Sequence, residues 1–365
     1  MKVIMTCGGT GGHIYPAISI ADKIMQRYPG SEILFIGTKK GMENSLVPAA
    51  GYPIKGIDAS GFDRRNLLKN FKTLSDFLKG EKEAKKIIEE FAPDAVIGTG
   101  GYVTGTVVLQ ASRMGIHTYI HEQNAVPGMT NKMLERLVDK VFISFKEAAD
   151  SFKSKEKILL VGNPVRSGFV SRDRNAVREE LGIDPSAFVV LCFGGSLGAE
   201  VLNKSVLSLI DDISGKGVKL LFVTGKRYYD EIKAEFDAVE ADKSGVELIA
   251  YANNMPDLMS ASDLIVSRAG AIAISEITVS GKPSVLVPSP NVTHNHQYWN
   301  ARSLSDAGAA LLIEEKQIAA DADYFKKEVC ALISDGERLA AMAEKSKELG
   351  NSGAADMIVD NIFTE

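Results

Sequence analysis

Short, uninterrupted apolar runs recur along this 365-residue chain with helix-patterned segments between them, and that alternation constrains the fold more than any other feature. In the first half the runs occupy 3–5, 33–36, 95–97, 118–120, 141–143 and 158–161. After Gly162-Asn163-Pro164 the series restarts at 188–193, 220–223, 248–249, 264–266, 285–287 and 310–313. A run that stays apolar, instead of alternating with polar residues, suits a strand buried on both faces, as in a parallel sheet. The segments between have a helical period: in 17–27, Ile20, Ala21, Ile24 and Met25 share one face while Asp22, Lys23, Gln26 and Arg27 take the other. The predicted fold class is α/β, two doubly wound Rossmann-like domains joined near 162–164. The last helix, near 354–362, suits either domain by pattern alone.

Three glycine-rich turns follow apolar runs. The first, Gly8-Gly9-Thr10-Gly11-Gly12-His13, leads towards a helix with Pro16 expected near its first position. Backbone N–H groups and a helix dipole then point at one spot, which makes an anion site, with His13 at its rim. The others are Gly98-Thr99-Gly100-Gly101-Tyr102 and Gly194-Gly195-Ser196-Leu197-Gly198-Ala199. Any one of them could be a βα loop that needs positive φ; three together favour ligand binding. In doubly wound sheets ligands lie beyond the carboxyl ends of the strands, so the turns are expected to face one cleft between the domains.

The turns fail the dinucleotide fingerprint G-x-G-x-x-G, because its last glycine falls on Ile14 or Val103 and its second on Ser196; no P-loop sequence occurs either. A diphosphate cradle of another kind is left. The second half adds polar groups: Ser267-Arg268-Ala269-Gly270 runs into a helix pattern with Glu276 about two turns in, a carboxylate able to accept from two ribose hydroxyls. The stretch 288–300 carries the only Trp with several amide and imidazole groups, suited to sugar hydroxyls or to a loop entering a capped helix. In the first half His121-Glu122-Gln123-Asn124 ends a strand, and Gly162-Asn163-Pro164-Val165-Arg166 places a guanidinium at the domain junction, suited to a diphosphate.

Charge is uneven. Residues 1–162 hold 22 Lys+Arg against 17 Asp+Glu, a balance of +5, and residues 163–365 hold 20 against 30, or −10, which sum to the net −5. A basic first half is expected to meet an anionic surface or ligand. The segment 60–72 mixes Phe62, Leu67, Leu68 and Phe71 with Arg64, Arg65, Lys69 and Lys72. That chemistry fits either contact with anionic lipid or an amphipathic helix packed on the core. No run reaches the ~18 apolar residues of a membrane span and no signal peptide is apparent, so a cytoplasmic location is expected. Cys7, Cys192 and Cys330 lie far apart, consistent with buried thiols. Asp321-Ala322-Asp323 has a D-x-D spelling but lies far in sequence from every glycine turn, so no metal site and no cofactor are expected.

In order along the chain, Gly8 to His13 with Pro16, His121 to Asn124, Gly162 to Arg166, Gly194 to Ala199, Arg268 to Glu276 and His296 to Asn300 closely resemble the family-28 glycosyltransferases of bacterial peptidoglycan synthesis, which convert lipid I to lipid II. The resemblance spans nearly the whole chain. It implies an inverting transferase of the two-Rossmann-domain (GT-B) type, a UDP-GlcNAc donor, a lipid I acceptor and a peripheral position at the cytoplasmic face of the membrane, on an anionic surface. Cell-wall synthesis proteins are further candidate partners, and nucleic acid is not one. The implied domains are 1–162, joined by a final helix of about 350–365, for acceptor and membrane, and 163–349 for UDP-GlcNAc.

By the same resemblance His13 is the candidate base, its imidazole suited to proton transfer near neutral pH. Thr10, Gly11 and Gly12 lie on the acceptor side and reach the donor, and Asn124 touches the donor sugar. Arg166 and Ser196 take the diphosphate, Ala252 and Ile272 line the uracil pocket, Glu276 holds the ribose, and Gln297 binds GlcNAc hydroxyls. Three positions depart from some members: Ala273 replaces Thr, His296 replaces Gln and Ala252 replaces Ile. A UDP-sugar epimerase of related fold and a nucleotide-sugar sensor without turnover are the competing functions.

Overall fold

The computed structural model of the protein describes residues 1–59, 67–170, 172–195 and 198–362, without the side chains of 67–75 and 167. They divide into two units, Met1–Val165 with Ser352–Glu365, and Arg166–Asn351. The segment 60–72, read above as either a lipid contact or an amphipathic helix on the core, falls on 60–66, outside the described residues, and on the start of the helix Leu67–Phe91, where side chains are likewise undescribed. Among the described residues no helix is long and apolar enough to cross a membrane.

The first unit is built on a seven-stranded sheet of β1 (Lys2–Cys7), β2 (Glu32–Thr38), β3 (Ile54–Ile57), β4 (Ala95–Gly100), β5 (His117–Glu122), β6 (Lys140–Ile143) and β7 (Ile158–Leu160). The strands are ordered β3-β2-β1-β4-β5-β6-β7, and every pairing is parallel. The uninterrupted apolar runs have a plain cause. Val3 and Met5 pack on one face with Ile14, Ile20 and Ile24 of the helix Gly11–Arg27, while Ile4 packs on the other with Ile88 and Val107. With both faces covered, alternation has no purpose. The final helix, Ala354–Ile362, belongs to this unit: Ile358, Val359 and Ile362 join the first of these cores, and Asp356 pairs with Lys23 and Arg27 at 3.1 and 3.2 Å.

Two expectations change. β3 has no apolar run, since Lys55 and Gly56 are exposed on an edge strand that pairs only with β2; a single partner and one wet face leave no continuous hydrophobic signal. The first helix starts at Gly11, so Pro16 is inside it instead of near its first position. The carbonyl four residues before Pro16 is that of Gly12, and a proline ring leaves such a carbonyl without its helical donor.

The second unit repeats the plan with β8 (Phe188–Phe193), β9 (Val218–Val223), β10 (Val246–Ile249), β11 (Leu264–Ser267), β12 (Ser284–Leu286) and β13 (Ala310–Leu312). Their order is β10-β9-β8-β11-β12-β13, again all parallel. In both sheets the chain reverses its direction of winding beside the first strand, between β1 and β4 and between β8 and β11. These are the topological switch points at which doubly wound sheets leave a crevice. Residues 8–13 follow β1, residues 98–102 form the end of β4 and the turn beyond it, and residues 194–199 and 268–270 follow β8 and β11.

Candidate active site

In the first unit the two turns are in direct contact. The Gly8 N–H donates to the Gly100 carbonyl at 3.1 Å, and a Cβ on Gly101 would stand 2.5 Å from the Gly8 carbonyl oxygen, at φ +91°. Only glycine fits there. The register between β1 and β4 slips beyond Thr6, so that Cys7 faces Gly100 and Thr99 is released from regular pairing. Thr99 Oγ1 then donates to the His13 carbonyl at 2.7 Å. From below, the buried Glu43 carboxylate accepts from the Gly9 N–H at 3.2 Å and from the N–H and hydroxyl of Thr38 at 2.8 and 2.7 Å.

His13 sits in the first turn of its helix, half-buried, with its ring over Gly100; a Cβ there would lie 2.5 Å from Nδ1. Nδ1 is 2.9 Å from Oε1 of the buried Gln123. Gln123 Nε2 donates to the Thr99 carbonyl at 2.7 Å and reaches His121 Nδ1 at 2.9 Å. The His121 ring, buried at 0% exposure, contacts the Gly162 carbonyl at 3.0 Å through Nε2. Burial pushes its pKa down to about 4, against the raising effect of that carbonyl.

Thr10 and Gly12 are exposed and Gly11 is half-buried at the mouth of the same helix. Thr10 takes the extended N-cap conformation but its side chain does not cap, so the helix's first N–H groups are not closed by the usual hydroxyl. Asn124 lies in the loop after β5, where Glu122 organises the chain: Oε1 accepts from the N–H and Nδ2 of Asn124 at 3.0 and 3.2 Å, and Oε2 from Gly128 N–H and Asn131 Nδ2 at 3.0 and 2.8 Å. The first unit thus gathers Thr10, Gly11, Gly12 and His13 at one switch point, with Asn124 on the next strand's loop.

In the second unit Arg166 and Glu276 come together, Nη2 donating to Oε1 at 3.0 Å. The guanidinium also stacks 4.9 Å from the Phe169 ring. Burial raises the Glu276 pKa, and Arg166 offsets it. Glu276 lies in the helix Ala271–Val279, entered through Gly270 with no side-chain cap. Gln297, in the helix His296–Asp306, accepts from the Ser289 N–H through Oε1 at 2.9 Å, which turns its amide N–H groups the other way. The turn into that helix is tight, with left-handed backbone at His294 and Asn295. Ala252 lines a cavity of about 160 Å³ with Leu181, Ile249, Asn254 and Leu258, and Ile272 lies half-buried in the first turn of the helix Ala271–Val279. Ser196 lies outside the described residues; around it, Gly194 fits so closely that a Cβ would meet the Ala199 nitrogen at 2.5 Å.

Asp321 is occupied locally, accepting from the Asp323 N–H at 2.9 Å and pairing with Lys327 at 3.3 Å. Sequence reasoning passed over Gln123, Glu43 and Thr99. Gln123 had a signal, since a residue between His121 and Asn124 at a strand's carboxyl end lies at the crevice. Glu43 had none, because its contacts at Thr38 and Gly9 appear only once β2 is placed beside β1.

Two family descriptions match the chain: the glycosyltransferase family 28 N-terminal domain over residues 3–143 and the family 28 C-terminal domain over residues 189–358. A relative from Acetivibrio thermocellus, named UDP-N-acetylglucosamine--N-acetylmuramyl-(pentapeptide) pyrophosphoryl-undecaprenol N-acetylglucosamine transferase, is 45% identical over 99% of this chain and 97% of its own. One of the same name from Alkaliphilus oremlandii is 44% identical over 98% and 97%. Among solved structures, Acinetobacter baumannii MurG superposes with a TM-score of 0.79 at 28% identity, covering 99% of each chain. A UDP-GlcNAc 2-epimerase from Neisseria meningitidis bound to UDP-GlcNAc, at 15% identity and TM-score 0.70 over both full chains, shares the fold. Paired Rossmann sheets with glycine turns at both switch points, matched by both family descriptions and by relatives over almost the full length, place this chain in glycosyltransferase family 28.

Proposed function

We propose that the protein transfers N-acetylglucosamine from UDP-GlcNAc to the C4 hydroxyl of the MurNAc residue of lipid I, with inversion, giving lipid II. The carrying observation is His13, held at the carboxyl end of β1 by contacts on both ring and carbonyl, in a chain that matches relatives of this named activity from end to end. The acceptor oxygen forms its bond to the anomeric carbon from the face opposite UDP. The bond from that carbon to the diphosphate breaks and UDP departs with the electron pair. The acceptor proton passes to His13. Thr10, Gly11 and Gly12 serve the acceptor side, and Asn124 meets the donor sugar.

The second unit takes the donor. Arg166, Ser196 and the N-terminus of the helix Ala271–Val279 receive the diphosphate, where a dipole and a guanidinium stabilise the charge that grows on the leaving group. Glu276 holds the ribose, Ala252 and Ile272 the uracil, and Gln297 the sugar hydroxyls. A lipid-linked acceptor calls for peripheral attachment at the cytoplasmic face of the membrane, to which the basic and apolar residues of 60–72 contribute. Incubation with UDP-GlcNAc and a short-chain lipid I analogue is expected to yield the disaccharide product. Formation of UDP-ManNAc, or binding without product, would overturn the assignment.

A further inference from the structure

We propose that Gln123 and His121 are positioning residues that hold the His13 imidazole in its Nδ1–H form, so that Nε2 is the ring atom presenting a lone pair to the acceptor. The orientation of the Gln123 amide follows from two backbone carbonyls. Its Nε2 lies 2.7 Å from the Thr99 oxygen and 3.1 Å from the His121 oxygen, and a carbonyl oxygen can only accept. The amide NH₂ must therefore face them. Its Oε1 is left facing His13 Nδ1 at 2.9 Å, and because an amide oxygen also only accepts, Nδ1 must carry the proton.

A second chain of contacts reaches the same result from the opposite end. His121 Nε2 lies 3.0 Å from the Gly162 carbonyl, so that nitrogen is the donor. The Ser144 hydroxyl, 3.2 Å from it, has carbonyl acceptors of its own in Glu122 at 2.9 Å and Asn163 at 2.8 Å. The neutral His121 ring then offers a bare Nδ1, 2.9 Å from Gln123 Nε2, which shares with the His121 carbonyl the amide hydrogen not given to Thr99. Burial keeps the ring neutral, with a pKa near 4; were it charged, an N–H would oppose the Gln123 NH₂. Order thus passes from the Gly162 carbonyl through His121 and Gln123 to His13. A neutral amide occupies the place that a carboxylate holds in serine hydrolases: it fixes the tautomer without adding a charge beside a site that must accept anionic substrates.

This assignment rests on His13 as the base, and the test separates the two. Long-range ¹H–¹⁵N spectra of the histidine-labelled protein above neutral pH, assigned by the loss of signals in His13→Ala and His121→Ala, read each tautomer directly. His13 is expected as Nδ1–H and His121 as Nε2–H. An Nε2–H or evenly mixed His13 would overturn the proposal, whatever the activity. Gln123→Met is expected to mix the His13 tautomers and lower kcat at least about tenfold with the KM for UDP-GlcNAc unchanged, and to add nothing to the loss in His13→Ala. Should His13→Ala turn over normally while His13 remains Nδ1–H, the base reading fails and the tautomer assignment survives.

Discussion

The Arg166 guanidinium donates to the Glu276 carboxylate across 3.0 Å and 110 positions of sequence, joining two groups that the sequence assigns to different parts of one nucleotide. On the proposed function Glu276 would have two tasks, receiving ribose hydroxyls and aiming the guanidinium at the diphosphate. Glu276→Ala removes both and Glu276→Gln retains an acceptor for Arg166. The alanine variant is expected to raise the KM for UDP-GlcNAc on the order of 10²-fold and the glutamine variant roughly tenfold, given about 1.5–3 kcal/mol for a hydrogen bond to a charged group. Initial rates at varied donor check the order; equal KM values in both variants would show that Arg166 does not depend on this pairing.

Gly100 gives a test of the first switch point that replaces no side chain of the site. At φ +124° a Cβ would lie 2.5 Å from His13 Nδ1, so Gly100→Ala must either move the ring or shift the turn, at about 1–3 kcal/mol of backbone strain. Turnover is expected to fall on the order of 10²-fold. The Kd for UDP-GlcNAc, measured by calorimetry, should stay within about twofold, because the proposed function gives the nucleotide to groups of the other unit and leaves only the Asn124 contact in this one. Weakened donor binding of the same size as the rate loss would argue against this division of labour.

Much of this was legible in the sequence because parallel sheets announce themselves. Strands such as β1 and β8 are covered on both faces, so their residues are apolar without a break, and the glycine turns that follow them mark the crevice. β3 was not legible: an edge strand with Lys55 and Gly56 exposed carries no such run. The first helix was placed too late because Gly11 and Gly12 read as turn residues, although the dihedrals of Thr10 already make it the N-cap. At the site, the sequence placed 121–124 at the end of a strand and assigned a ligand contact to Asn124 alone, with no task for His121 or Gln123. The structure instead buries His121 and Gln123 beneath His13, a relation that exists only once β4 and β5 lie side by side.

The buried His121 ring predicts a stability change with pH. Its pKa is about 4 in the folded chain against an ordinary 6.5. As pH falls between those values the unfolded chain binds a proton here that the folded chain refuses. Stability is therefore lost through that window, by up to roughly 3 kcal/mol, and levels off below it; above about 6.5 the ring contributes no slope. Urea midpoints measured across the window are expected to fall more steeply for the unaltered protein than for His121→Asn, which cannot titrate. Parallel curves would refute a neutral buried ring.

The basic residues of 60–72 allow a test of membrane attachment independent of turnover. Reversal of Arg64, Arg65, Lys69 and Lys72 to Glu is expected to abolish co-sedimentation with vesicles rich in anionic lipid, since each cation near such a surface contributes about 1 kcal/mol. Binding of the unaltered protein should also weaken as salt is raised. Transfer to a water-soluble acceptor analogue is expected to be unaffected, and a loss there would place the segment in the catalytic machinery instead.

Gln297 separates the two ends of one amide. Its Oε1 is engaged by the Ser289 N–H at 2.9 Å, so only the NH₂ remains to donate to a sugar hydroxyl. Gln297→Glu preserves the acceptor that ties the helix His296–Asp306 to the loop after β12, but exchanges the donor for a second acceptor oxygen. Because sugar hydroxyls both donate and accept, the charged variant tests which role the site requires. If the NH₂ donates to GlcNAc, Gln297→Glu should raise the KM for UDP-GlcNAc about tenfold, worth about 1.4 kcal/mol, with the Kd for UDP itself nearly unchanged. Gln297→Ala should lose the loop contact as well, and lower Tm where the glutamate variant does not. An equal loss of affinity for UDP and UDP-GlcNAc would mean that the substitution disturbs the nucleotide pocket, and the sugar contact would have to be assigned to another residue.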